Sequence, residues 1–548
     1  MSTEATPPPH VPGTPSQDPT PAPEPLPPAL PEWATASEPK PKRRPATFFL
    51  TRFVLLRLLG LVYGVAFLVA AQQNLALMGH DGLTPIDQPV QELVTAKLQA
   101  ENPLSRWWDF PTIYQWSPTD QCLQWLAWTG VAISAVVLAG FANSILLCAL
   151  WFLYLSIVTA AAGTPWYGYG WEFQLLETGF IAIFLCPLFD GQPFSRRPPP
   201  VVTIWLYRWF IFRIMLGAGL IKWRGDECWR DLTALIYHYE TQPVPNPISR
   251  WLHFAPVWFN KGGVLWNHFI ELVVPWFLFI PLRVVQNTVG VLLVSFQVIL
   301  ILSGNLSFLN WLTIIPCIAC LDDSFWRRVL PRFITQRAEA GVEFPKSVLA
   351  PLILSSIFAC VVVKYSIPVV ENLLSPNQEM NNSYDNLHLV NTYGAFGSIS
   401  RVRYETVLEG TNDLLPSMVS EWREYPFKVK PGDVMRRPPW ISPYHYRLDW
   451  QMWIDTQGQR WHPWLPHLVW KLLHNDPVAL GLLAGNPFPE GPPRYIQVKV
   501  YKYQYAPLGN PQGRFWTREE AGTIILPVSV DSKGFRTQLQ SFGYPDAP

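Results

Sequence analysis

The chain has 548 residues, of which 49% are hydrophobic and only 15% charged, with 27 tryptophans. That composition is membrane-protein chemistry, and a net charge of +1 lacks the basic footprint on which nucleic-acid binding leans, so nucleic acid is excluded as a partner. Seven cysteines lie mostly in or beside apolar runs and give no disulfide framework.

Residues 1–47 form the first expected unit. Fifteen prolines precede residue 46, with too few apolar residues to bury a core, so the arm is expected to be disordered and cytoplasmic. It ends on Lys40, Lys42, Arg43 and Arg44, just before the apolar run Phe48–Ala71. That run starts too late and is too long for a cleaved signal peptide, and reads as a first span with its basic flank inside.

The second unit, 48–370, reads as a polytopic α-helical bundle. Further apolar runs at 123–140, 142–162, 173–189, 201–221, 264–282, 285–302, 307–321 and 348–370 bring the expected spans to nine. Treating the short ones as re-entrant gives five. Either odd total puts the chain beyond residue 371 outside, and nine place Arg196, Arg197, Arg283, Arg327, Arg328, Arg332, Arg337 and Lys346 inside. Residues 371–548 change character, with alternating segments at Val402–Leu408, Tyr495–Tyr505 and Thr523–Val530 and a helical pattern over Leu465–Leu483. They read as a β-rich (α+β) domain outside the membrane.

Several long blocks carry more than composition. YGWEFQLLETGFIAIFLCP (169–187), RWFIFRIMLGAGLIKWRGDECWRDLTALIYHYETQPVPNP (208–247), NHFIEL (267–272), SGNLSFLNWLTIIP (303–316), LVNTYGAFGSI (389–399) and ISPYHYRLDWQMW (441–453) resemble, in order, the lipase maturation factor family. The likeness is to its first, shorter-chain type, for which five spans are usually counted. It implies a chaperone-like function in the endoplasmic reticulum membrane, assisting secreted dimeric lipases such as lipoprotein lipase. In a bacterium the membrane would be the inner one. Binding, not catalysis, would carry that function, with no cofactor, and with secreted lipases and membrane lipid as partners.

No GxSxG elbow, Walker loop or HExxH is present, which gives no sign of a hydrolase, NTPase or metalloprotease. Glu172 and Glu177 are expected to pair with membrane arginines such as Arg208 or Arg213. His268 and Glu271 share a helix face but supply only two ligands, so no metal is expected. Lys222, at a membrane boundary, is expected to snorkel. Cys317 and Cys320 have redox spacing but read as core residues. Tyr444, His445, Tyr446, Arg447, Asp449, Trp450 and Trp453 combine aromatics with arginine, the composition of a client-binding surface, or of a Trp-rich core. Of two sequons, Asn381 is the glycosylation candidate and Asn305 sits too near the bilayer. The alternative function is a membrane enzyme built like the vitamin K-dependent carboxylases, using Lys222, His268 or the membrane glutamates. Their clustering around one cavity would favour it, and their dispersal into ion pairs would favour the chaperone.

Overall fold

The computed structural model describes residues 6, 47–100, 107–194, 197–340, 349–417, 419–459 and 461–544. All but two positions of the expected N-terminal arm lie outside these. Residues 46–548 form one compact unit.

Six helices among the described residues are long and apolar enough to cross a membrane. They are α1 (Phe49–Met78), α2 (Asp120–Ala139), α5 (Val201–Gly225), the continuous stretch Val257–Phe279 that begins with α6 (Val257–His268), α7 (Arg283–Ser303) and α9 (Leu349–Leu374, apolar from Ile353). Three expected spans are shorter: α3 (Ser144–Ala160), α4 (Gly170–Ile183) and α8 (Leu309–Ile318). At ~1.5 Å per residue, fourteen residues of α4 cover about 21 Å, less than the ~30 Å hydrocarbon core.

Local chemistry sets these boundaries. Thr119 caps α2 by accepting from Cys122 N, and Asn143 caps α3 by accepting from Leu146 N. Asp323 accepts from the amides of Phe49, Leu50 and Thr51, capping α1 from a segment 272 to 274 positions away in the chain. Pro275 has no amide hydrogen, and the stretch from Phe269 leaves regular α geometry for a wide turn to Val273 and a tight turn to Phe279. α1 and α2 touch backbone to backbone: a Cβ at Gly60 would lie 2.7 Å from Leu138 N.

Beyond α9 an α+β lobe carries a four-stranded antiparallel sheet in the order β2-β1-β3-β4. Its strands are β1 (Arg403–Thr411), β2 (Arg423–Glu424), β3 (Tyr495–Tyr505) and β4 (Trp516–Val528), with Val407 opposite Lys499 and Tyr503 opposite Arg518. α10 (Arg447–Gly458) lies on β1, where the Thr406 and Thr456 hydroxyls bond at 2.8 Å. The helix expected over Leu465–Leu483 is interrupted. α11 (Trp464–Leu473) ends before Asn475, which takes a left-handed conformation, and Pro477 opens a new turn capped by Asp476.

Candidate functional site

The polar centre of the molecule is built on α4, whose two glutamates both receive partners from the lobe. Glu177, fully buried, is ion-paired with Arg213 of α5. It also accepts from Asn391 N (3.0 Å), Asn391 Nδ2 (3.2 Å) and Tyr393 OH (2.7 Å), while Arg213 Nη1 donates to Asn391 O at 3.0 Å. One segment of the lobe, Asn391–Tyr393, thus completes both halves of a buried pair, meeting the condition for charges out of water to be tolerated.

Glu172 takes a different partner from the one expected. It pairs with neither Arg208 nor Arg213 but with Arg447 of the lobe, at 2.8 Å, both side chains having no exposure. Tyr154 OH of α3 and Trp171 Nε1 also donate to it. Arg447 Nη1 further donates to Trp166 O (2.5 Å), and its guanidinium stacks 3.7 Å over Tyr167. Burial disfavours the charged guanidinium, but Glu172 and the phenols of Tyr167 and Tyr154 outweigh that and hold its pKa above the ordinary arginine value. Gln73 of α1 closes the knot, donating to His445 O (2.7 Å) and accepting from Arg447 N (3.0 Å).

The expected client-binding stretch is therefore largely interior, a correction to the reading of it as a recognition surface. His445, Arg447 and Asp449 are fully buried and Trp450 nearly so. Burial and the Arg447 charge push the His445 imidazole well below its usual pKa, leaving a neutral ring among Tyr169, Trp171 and Trp450. Asp449 accepts from the amides of Val429 (2.7 Å) and Lys430 (2.9 Å), yet burial raises its pKa more than these bonds and Lys430 lower it. Half-buried Tyr444 and Trp453 reach Gln72 Oε1 (2.6 Å) and Thr241 O (3.0 Å), and Tyr446 packs edge-on to Tyr444. Aromatics plus arginine make the same composition whether the contact they form is between two proteins or within one, and here it is within.

Lys222 is also inside rather than snorkelling: it donates to Glu271 Oε1 (2.5 Å) and Asn267 Oδ1 (3.2 Å), and its ammonium lies 5.1 Å over Trp229. His268 points elsewhere, with Nε2 against Trp229 O at 3.0 Å. Arg208 meets no carboxylate at ion-pair distance among the described residues; Nε donates to Ala319 O (3.3 Å) and the guanidinium lies over Trp205 and Phe48. Among the described residues no three His, Cys, Asp or Glu side chains gather as a metal site would require. Asn305 is buried with Nδ2 bonded to Pro245 O and Pro439 O, while Asn381 is half-buried with its amide oxygen towards Gly394 N at 3.4 Å.

Two further clusters carried no sequence signal that singled them out. Arg403, Glu405 and Lys430 form a buried triad, Arg403–Glu405 at 2.5 Å and Lys430–Glu405 at 2.8 Å, and Arg403 also bonds to Gln242 O and Pro243 O. On the loop after α5, Asp226 pairs with Arg401 at 2.8 Å. Each also ties the lobe to the bundle side, the first through the Gln242 and Pro243 carbonyls on Arg403 and the second through Asp226 on Arg401.

Two family models match: the lipase maturation factor transmembrane domain over residues 50–328 and the lipase maturation factor C-terminal domain over 389–526. The chain is 47% identical to Lipase maturation factor 1 of Bos taurus, over 92% of this chain and 93% of that protein. It is 43% identical to Lipase maturation factor 1 of Homo sapiens, over 93% and 94%. Lipase maturation factor 2 of Mus musculus is more distant, 28% identical over 88% and 84%. No solved structure matches. With two models spanning bundle and lobe, and relatives matched over almost their whole length, the chain is an integral membrane protein that belongs to the lipase maturation factor family, on the side of its first type.

Proposed function

We propose that this protein matures secreted lipases from the endoplasmic reticulum membrane, with its N-terminal arm cytoplasmic and its lobe lumenal, and that it acts by binding rather than by catalysis. The names of its relatives support the client class, and the arginines near 327–337 support the orientation. The observation that carries the reading is the lock between lobe and bundle. Glu172–Arg447 and Glu177–Asn391 hold the lobe at a fixed height over the membrane, as a factor needs if it is to meet clients as they emerge.

With the 444–453 stretch inside, client contact falls to apolar groups that the lobe leaves outside. Leu414, Leu415 and Val419, on the loop between β1 and β2, are 72%, 82% and 94% exposed. The groups an enzyme would use are dispersed: Glu172 and Glu177 are spent on separate partners, and Lys222 on Glu271. In cells lacking the endogenous factor, the wild-type chain is expected to restore secreted lipase activity. The triple change Leu414→Asp, Leu415→Asp, Val419→Asp should accumulate normally in membranes but lose both lipase co-precipitation and rescue. Undiminished rescue would remove these residues from the client surface. Loss of activity in Lys222→Met, with folding and co-precipitation intact, would favour the membrane enzyme.

A further inference from the structure

After α8 the chain makes two short helices, Asp323–Val329 and Arg332–Ala340, at the end of the bundle where α1 begins. The first is fixed at the height where two spans start. Asp323 holds the opening amides of α1, and Asp322 meets Arg283 of α7 at 3.0 Å and Asn287 Nδ2 at 3.2 Å. The second lies on the flank of α1, where its buried Ala338 borders the same hollow as Phe49, Phe53 and Arg57.

The two faces of this pair differ in kind. Trp326, Thr335 and Ala338 are buried, whereas Arg328, Val329, Arg332, Phe333, Gln336 and Arg337 are exposed. On the second helix the exposed positions are i, i+1, i+4 and i+5, which at ~100° per residue make one continuous stripe. Its apolar members are large and open, Val329 at 59% and Phe333 at 66% exposure. Its arginines are uncompensated: Arg328, Arg332 and Arg337 make no ion pair and no side-chain hydrogen bond among the described residues. The neighbouring acids Asp322 and Asp323 are buried and held by Arg283 and by the amides of α1.

Height decides what meets this stripe. α1 has 30 residues and is about 45 Å long against a hydrocarbon core of ~30 Å, so its first turns, and the helix on their flank, lie at headgroup level. Val284, beside Arg283 in the first turn of α7, is 75% exposed and belongs to the same layer. A basic amphipathic helix in that layer sinks its apolar side chains to the acyl boundary and keeps its cations among the headgroups. Guanidinium groups pair with phosphate oxygens through charge-assisted bonds, and each arginine near an anionic surface strengthens binding about fivefold. A soluble acidic partner would explain the arginines but not the two apolar groups set among them at the level where spans begin.

We propose that the outer face of these two helices docks on the bilayer and selects anionic phospholipid, with Val329 and Phe333 entering the acyl boundary and Arg328, Arg332 and Arg337 binding the headgroups. The test uses the full-length protein in nanodiscs of phosphatidylcholine alone and of phosphatidylcholine with an equal part of phosphatidylserine, following hydrogen exchange of the amides of residues 326–338, with β3 as the internal standard. Exchange is expected to be at least about tenfold slower in the anionic discs, β3 being unchanged, and the difference should shrink as salt is raised. The triple change Arg328→Gln, Arg332→Gln, Arg337→Gln should remove the difference, and Phe333→Ser should speed exchange in both kinds of disc. All four side chains are exposed, and β3 exchange reports whether each variant is folded; the salt series on the wild-type chain decides the matter if one is not. Equal exchange in the two discs overturns the proposal and leaves the arginines to a soluble acidic partner. A difference that persists in the folded triple variant, or that does not respond to salt, overturns it as well.

Discussion

The two ends of the bundle treat buried arginines in opposite ways. At the lobe end every one meets a carboxylate: Arg213 has Glu177, Arg447 has Glu172 and Arg403 has Glu405. At the end where α1 begins, Arg57 and Arg208 are bonded to main-chain carbonyls and laid over aromatic rings. A carboxylate partner fixed on a helix can only be used where the rest of the chain can be held to it. The lobe end therefore spends most of its charges on cross-linking two regions, while at the other end Arg57 and Arg208 are held by carbonyls and rings. The first arrangement is intolerant of change, because removing one partner strands a buried charge, and the second is less so.

That contrast sets the expected order of effects. Cutting the chain at about residue 377 removes Glu172, Glu177, Gln73 and Arg213 from the lobe at once. The separated lobe is expected not to fold, and a cooperative thermal transition in the isolated fragment would break the comparison. Arg447→Met strands Glu172 without a counter-charge and should cost about 3–5 kcal/mol, read as loss of membrane accumulation. The double change Arg447→Met with Glu172→Gln should recover much of it, because no unpaired charge then remains.

Acid should loosen the lobe end. Burial lowers the His388 pKa to about 4, and its ring stacks on Phe173 of α4 at 4.5 Å. Since the folded value lies below the ordinary ~6.5, the unfolded chain takes up the proton first. This contribution is intact above pH ~6.5 and is lost as pH falls towards about 4. His238 and His445 shift in the same direction. His388→Phe keeps the stack and should flatten part of that acid limb in thermal unfolding measured across this range. At the other end Arg208→Met, which gives up one carbonyl bond and its aromatic contacts, should cost only about 1–2 kcal/mol. A loss as large as that of Arg447→Met would erase the distinction between the ends.

Reading along the chain found the membrane helices, the strand Tyr495–Tyr505 and the identity of most charged residues in the polar networks, because apolar run length, alternation and an arginine in an apolar segment are local signals. That Glu177 would pair with a membrane arginine was legible for the same reason, but whether with Arg208 or Arg213 was not. The partner of Glu172 was not: Arg447 is 275 positions away in a segment whose aromatics suit an outer surface equally well. Composition by itself determined that this chain must bury charge inside a membrane bundle and carry a folded region beyond it. Only the tertiary structure decided which charges meet, since an ion pair is a matter of distance in space, and that the ISPYHYRLDWQMW stretch faces inward to join bundle and lobe.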